Sequence, residues 1–162
     1  MKNVREYYTQ CFKSERPTFV KVMKAVPADQ VQYKPHPRSS SSGDIMWLLA
    51  TELDDACTLI DDGEVNYVVK PCPGAAESIA AFEKHAAALE ERLPTLDDAK
   101  WDSKARLMMD GKTMWEATLG EMLFGFLLDA IHHRGQLSSY LRPMGAKVPS
   151  IYGPSADDPG GS

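Results

Sequence analysis

The sequence predicts an all-α protein with the architecture of a four-helix bundle. Apolar residues recur at steps of three and four in four separate stretches, each roughly 18 to 27 residues long. At 162 residues and 43% apolar composition, the chain is large enough to bury one hydrophobic core. We therefore expect one domain over residues 1–155 and a flexible tail at residues 156–162. The four helices are predicted at residues 4–26, 44–61, 75–93 and 115–141.

Proline and serine mark the first two helices. Pro17 lies inside the first helix and is expected to kink or split it, because proline lacks the N–H that a helix interior uses. A proline- and serine-rich linker precedes the second helix. At its end, Ser41 and Asp44 have the spacing of a capping box, in which two side chains satisfy free backbone N–H groups.

The connections between the later helices carry weaker signals. The segment 64–73 is β-branched and contains prolines, so it is expected to be a simple connection. Ahead of the fourth helix, the pair Asp110-Gly111 predicts a tight turn in a short hairpin or an irregular loop.

Composition argues against several classes of function. A net charge of −5 is unlike that of a nucleic-acid binder, which usually carries a basic face. No apolar run approaches the ~20 residues that cross a bilayer, and the first residues resemble no secretion signal, so we expect a cytoplasmic protein. Cys11, Cys57 and Cys72 are odd in number and form no C-x-x-C pair, which argues against disulfides or a zinc–thiolate site. A thiol nucleophile is the alternative to ordinary buried or loop cysteines.

A polar cluster on the fourth helix is the strongest candidate for a functional site. The inward-facing stripe of this helix begins apolar and then places Asp129, His133 and Gln136 on one face. A buried carboxylate is costly unless it is paired or bound to a metal. Asp129 and His133 are spaced i, i+4, so they can bind one divalent metal or each other. The alternative is a hydrogen-bonded Asp–His–Gln network that satisfies only itself.

Two segments resemble a known family. HHRGQLSSYLRPMGAKVPSIYGPSAD (132–157) and YKPHPRSSSSGDIMWLLATE (33–52) are similar to characteristic segments of the DinB-like superfamily of small bacterial four-helix proteins. The resemblance covers the chain in order and length. It implies an up-down-down-up bundle, frequent dimerisation, and a divalent metal held by one histidine on the second helix and an H-x-x-x-H pair on the fourth. Relatives include thiol S-transferases and the metal-binding domain of maleylpyruvate isomerases.

The chain departs from this pattern at two of the three implied ligands. Leu48 stands in place of the second-helix histidine, and Asp129 stands in place of the first histidine of the pair, so only His133 is retained. Glu52 lies one turn beyond Leu48 and is the candidate third ligand. Mixed oxygen and nitrogen ligands bind more weakly than three imidazoles, so zinc, nickel or manganese is expected to bind weakly or not at all.

These residues predict a divalent-metal-dependent enzyme with a degenerate metal site, of the thiol S-transferase or hydrolase type. Asp129, His133 and Glu52 would be the metal ligands, and Gln136 would orient a cofactor or substrate. The sequence indicates no particular small-molecule substrate. The alternative, which Leu48 favours, is a metal-free binding or stress-response dimer that has lost catalytic activity.

A homodimer is expected from the resemblance and from the aromatic residues. The four helical seams do not require all of the aromatic residues, and three are left over: Trp47, Trp115 and Phe124. Apolar surface that remains after a bundle closes usually marks an association face.

Overall fold

Four long α-helices form the body of the protein in a computed structural model that describes residues 3–160. A fifth, single-turn helix lies near the sheet. The helices are α1 (Val4–Ala25), α2 (Ser42–Asp62), α3 (Ala75–Arg92), α4 (Asp98–Trp101) and α5 (Leu119–Leu141). Both α1 and α2 pack against α3 and α5, and buried apolar side chains fill the space between them. Within the described range, no helix combines the length and apolar character that crossing a membrane requires.

The ends of α2 follow from the local sequence, whereas α1 differs from the prediction. Ser41 and Asp44 form the predicted capping box, and Gly63 ends α2 with a left-handed φ of 77°. Of the two outcomes expected at Pro17, a kink or a split, the split does not occur, because α1 is one helix over Val4–Ala25. Phe12 and Phe19 lie on either side of Pro17 and are both buried. Their packing outweighs the one backbone hydrogen bond that the proline removes.

A small sheet corrects the prediction of a purely all-α bundle. Its strands are β1 (Glu64–Asn66), β2 (Lys104–Met109) and β3 (Lys112–Thr118), in the order β1-β2-β3. β1 runs parallel to β2, and β2 pairs antiparallel with β3. β1 lies in the segment 64–73 that was expected to be only a connection. The β2–β3 hairpin turns at Asp110-Gly111 as predicted, and both residues have the positive φ of a type I′ turn, 50° and 73°.

The fourth long helix begins later than predicted. Trp115 was expected at its start but lies in β3, where it pairs with Leu107. Thr118 and Glu121 form a capping box at the true start of α5, next to Leu119. The later start of α5 matters for the site, because Trp115 then lies in β3, beside α5, rather than on the helix.

The segment after α5 is held by hydrogen bonds. Arg142 Nε donates to Asp157 Oδ2 at 3.0 Å, and the backbone N–H of Ser150 donates to Asp158 Oδ2 at 2.7 Å. Both aspartates belong to the tail predicted to be flexible at residues 156–162, of which 161 and 162 lie outside the described residues.

Candidate functional site

A cavity of about 460 Å³ lies between α2, the sheet and the middle of α5. The pleat of the sheet and the turns of the two helices bring together side chains that are far apart in the sequence. The wall combines acidic and aromatic side chains: Glu52, Asp55, Asp129, Tyr67, Trp115 and Phe126. His133 and Leu48 also line the cavity. The volume is within the range of small-molecule sites, which is roughly 300–1,000 Å³.

The predicted cluster on α5 exists as a chain of polar contacts. His133 Nε2 lies 3.3 Å from Asp129 Oδ2, and His133 Nδ1 lies 3.1 Å from Gln136 Oε1. Gln136 Nε2 donates to the Tyr140 hydroxyl at 3.2 Å, which in turn donates to the carbonyl oxygen of Ser40 at 3.3 Å. Since the Gln136 amide nitrogen donates to Tyr140, its oxygen is the atom that faces His133 Nδ1 and can accept a hydrogen bond from it.

Asp129 is more exposed than the sequence predicted. Its side chain is 51% exposed at the cavity, whereas that of His133 is 21% exposed. The expectation of a buried, inward-facing carboxylate at this position is therefore wrong. On α5, Asp129 lies where the cavity is open to solvent. Water therefore reaches the Asp129 carboxylate and lowers the free-energy cost of its charge.

Glu52 is the buried carboxyl of the site. It is 9% exposed, and its Oε2 has no hydrogen-bond partner among residues 3–160. Burial is the largest cause that raises the pKa of Glu52 to about 9, followed by a side-chain hydrogen bond with Asp129 and by the charges of Asp129 and Asp55. Burial and Asp54 likewise raise the pKa of Asp55 to about 6, against the opposing charges of Lys70 and His85. The cavity thus contains a carboxylic acid that keeps its proton at neutral pH.

The residues do not reproduce the three-histidine metal site that the resemblance implies. Leu48 lines the cavity with an apolar side chain where that site would have an imidazole. In the described part of the chain, no group of three His, Cys, Asp or Glu side chains is arranged to hold a metal ion. Asp129 and His133 offer two adjacent donors, and Glu52 must lose a firmly held proton before it can become a third. These side chains are therefore better suited to hold and transfer protons than to bind a metal ion.

The aromatic wall of the cavity depends on a glycine. Trp115 lies over Gly125, where a Cβ atom would come within 2.3 Å of the indole ring. The Trp115 and Phe126 rings are tilted by 55° with centroids 6.4 Å apart, and Tyr67 follows β1 at another part of the wall. Sequence reasoning did not find this wall, because it forms only when β1 and β3 close over α5.

The three aromatics that suggested a dimer are not free surface. Trp47, Trp115 and Phe124 are partly buried and pack against the core. Phe124 lies edge-on to Tyr8, with 5.1 Å between ring centroids. Phe124 also lines a groove with the exposed Val4 and Leu128, and the homodimer stays a prediction.

Arg134 is a structurally important residue that the sequence reasoning missed. It is 2% exposed, and its Nη1 donates to Glu15 and Thr18 of α1. Its Nη2 donates to the Tyr152 hydroxyl at 2.6 Å, and its guanidinium lies 4.7 Å from the centroid of Phe19. The signal was present, since position 134 fills a gap in the buried row of α5. This contact ties α5 to α1 on the side away from the cavity lining.

The fold and the cavity together define a helical-bundle protein with a small covering sheet. The chain belongs to the DinB family, whose model matches residues 1–160. It is similar to the crystal structure of a DinB-like protein from Bacillus cereus, with a TM-score of 0.74, 19% identity, and coverage of 91% of this chain and 97% of the other. For a DinB-like protein from Bacillus subtilis the values are 0.69, 18%, 90% and 97%. A search of curated proteins gave no significant match.

Proposed function

We propose that the protein is an enzyme that acts on a small molecule in the cavity with acid and base side chains. The observation that carries this proposal is the environment of Glu52. Its buried carboxyl has no partner for Oε2 among the described residues, and it lines the same cavity as the half-exposed Asp129. Two carboxyl groups in such different environments are suited to opposite roles, with Glu52 as the acid and Asp129 as the base.

The same proton transfers serve either reaction type expected from the sequence. In hydrolysis the nucleophile is water, and in thiol transfer it is a thiol. As its oxygen or sulfur forms a bond to the substrate, its proton passes to Asp129, which His133 supports. Glu52 gives its proton to the leaving group as the bond to that group breaks. Proton exchange between the two carboxyl groups then restores the starting state.

The nucleophilic thiol, if the reaction uses one, comes from outside the protein. Cys57 is buried and has its pKa raised to about 11, chiefly by burial, so it is a poor source of thiolate. Cys11 and Cys72 are not among the residues that line the cavity. Cys72 instead lies 3.5 Å from the Ser78 hydroxyl.

Activity of the metal-stripped protein tests the proposal. The assays are hydrolysis of p-nitrophenyl acetate and transfer of glutathione to monobromobimane, both in the presence of a chelator. We expect turnover above the buffer rate that falls at least about tenfold in Asp129→Asn and Glu52→Gln, as general acid–base catalysis predicts. Glu91→Gln is the matched control, because this exposed glutamate on α3 is not part of the cavity wall. Equal rates in all four proteins would contradict the proposal.

A metal-dependent transferase or hydrolase is the second candidate. The observation that favours it is the 3.3 Å separation of Asp129 Oδ2 and His133 Nε2, which suits two ligands of one ion. In a thermal-shift series with zinc, nickel and manganese, we expect the wild type to be unchanged. Leu48→His should be stabilised, because it adds an imidazole where the family pattern has one. A wild-type shift that disappears in His133→Ala would favour the metal-dependent candidate over the metal-free one.

The homodimer is a separate proposal, and its face is a groove that Phe124, one of the three aromatics noted in the sequence, also lines. Val4 on α1 and Leu128 on α5 are 61% and 63% exposed and line one groove. Exposed apolar residues from two helices are suited to an association face. Light scattering at micromolar concentration should give the mass of two chains for the wild type and of one chain for Leu128→Glu. A wild-type mass of one chain would end this proposal.

A further inference from the structure

The ionisable groups around the cavity are mostly acidic. Asp55, Asp129 and the protonated Glu52 line it together with His133, and among the described residues no lysine or arginine does so. Lys70 acts on Asp55 but belongs to a neighbouring groove and is exposed. A ligand with a positive charge would therefore meet attractive groups at this wall, whereas an anion would meet repulsion.

Another part of the wall is aromatic. Tyr67, Trp115 and Phe126 border the same space, and the Trp115 ring is seated on Gly125. The face of an aromatic ring carries partial negative charge and attracts cations, with tryptophan the strongest of the three. Aromatic side chains beside carboxyl groups are the combination that proteins use for ammonium ligands.

Glu52 supplies a second, independent observation. It is 9% exposed and lines the cavity, and its Oε2 accepts no hydrogen bond from residues 3–160. Such an orphaned acceptor is costly unless a ligand donates to it. A bare metal ion is a poor match, because the described side chains offer no group of three donors and the cavity of about 460 Å³ is far larger than an ion.

We infer that the cavity binds an organic cation, a protonated amine attached to an apolar body. The ammonium group lies among Glu52, Asp55 and Asp129, and the body packs against Trp115 and Phe126. This names the substrate class of the proposed enzyme and rests on that proposal, since the site is the same. The acid and base groups then act on a bond close to the charged nitrogen.

Calorimetric titration of the full chain with three ligands of similar size tests the inference. Benzylammonium is the cationic probe, benzyl alcohol its neutral counterpart and benzoate its anionic one. We expect benzylammonium to bind at least about tenfold more tightly than benzyl alcohol, and benzoate not to bind. Equal binding of benzylammonium and benzyl alcohol, or tighter binding of benzoate, would overturn the inference and leave the acid–base proposal standing. Binding of none of the three, with activity retained, would also overturn it.

Variants locate the binding site. Trp115→Leu removes the aromatic face, and Asp129→Asn removes a carboxylate that faces the bound cation, while Glu52 keeps its proton. Each should weaken benzylammonium binding about tenfold or more, whereas Glu91→Gln should leave it unchanged. Circular dichroism confirms that each variant is folded, and Asp129→Asn keeps the shape of the side chain. Unchanged affinity in both cavity variants would overturn the inference. Loss of activity together with unchanged affinity would leave the proposed enzyme intact.

Discussion

Arg134 and Glu52 are both buried ionisable side chains, yet their surroundings are opposite. Arg134 is enclosed by an acid, a hydroxyl, a phenol and an aromatic ring, and only its Nε lacks a partner among the described atoms. Glu52 faces a cavity, its nearest charged neighbours are acidic, and its Oε2 is unsatisfied within residues 3–160.

The difference separates a structural charge from a functional one. Removing a charge from water is costly, and a protein recovers that cost when partners of opposite charge are close. Arg134 has such partners and therefore joins α1 to α5. Glu52 has none, so it avoids the cost by staying protonated. A carboxyl group kept neutral by its surroundings and open to a cavity is a candidate for proton transfer.

Breaking the ion pair between Arg134 and Glu15 should have the largest effect on stability. Arg134→Met keeps most of the side-chain volume but leaves Glu15, which is 14% exposed, without its partner. We expect the free energy of unfolding to fall by about 3–5 kcal/mol in urea denaturation. Adding Glu15→Gln should restore part of the loss, because it removes the orphaned charge. A cost below about 1 kcal/mol for the single variant would show that the contact is not structural.

An exposed ion pair gives the matched control for that experiment. Arg142 donates to Asp157 at 3.0 Å, and its side chain is 56% exposed. Arg142→Met should cost no more than about 1 kcal/mol, because solvent screens exposed pairs. A cost equal to that of Arg134→Met would remove the distinction between the two kinds of contact.

Replacing Glu52 by a neutral residue should raise the free energy of unfolding, and the size of this effect should depend strongly on pH. The folded protein keeps a proton on Glu52 up to about pH 9, whereas the unfolded chain releases it above about pH 4.5. The folded state therefore binds more protons, and this group lowers the free energy of unfolding as pH rises between those values. Glu52→Gln should be more stable than the wild type by about 3 kcal/mol at pH 7.

The difference in the free energy of unfolding between Glu52→Gln and the wild type isolates the contribution of Glu52. It should be small near pH 4.5 and should grow until about pH 9, whatever the other titrating groups contribute to both proteins. Chemical denaturation at several pH values measures it. A difference that is constant over this range would contradict the assignment of a raised pKa to Glu52.

The sequence predicted the long helices and the turn, because their signals are local. The Ser41–Asp44 capping box, the Asp110-Gly111 turn and the apolar periodicity of α5 each depend on neighbouring residues. β1 was missed because Glu64–Asn66 is too short for alternation to show, with one buried apolar residue. Trp115 was assigned to a helix because β3 runs directly into α5, and the apolar pattern does not break between them.

Only part of the candidate site could be found in this way. Asp129, His133 and Gln136 share a helix face, so spacing alone placed them together. Glu52 was proposed from its place one turn beyond Leu48, without any sign that it is buried. Tyr67 and Trp115 reach the cavity through pairing of strands that are distant in sequence, which no local pattern encodes.

Removing His133 should have a small effect on stability, comparable with that of Arg142→Met. The buried pair expected from sequence would lose about 1–3 kcal/mol on His133→Ala, through an orphaned carboxylate. Because Asp129 is 51% exposed, water solvates its charge after the imidazole is lost. We therefore expect the free energy of unfolding to change by about 1 kcal/mol or less. A larger loss would mean that Asp129 and His133 are held as tightly as Arg134 and Glu15.

The protonation state of Glu52 is the central claim, and carbon-13 NMR measures it directly. The side-chain carboxyl resonance of Glu52 in the full-length protein, assigned by its absence from Glu52→Gln, is followed through a pH titration. We predict that Glu52 remains neutral at pH 7 and is half ionised at about pH 9. A midpoint near its ordinary pKa of 4.5 would show that water or a counter-charge reaches the carboxyl, and would contradict its role as the acid of the cavity.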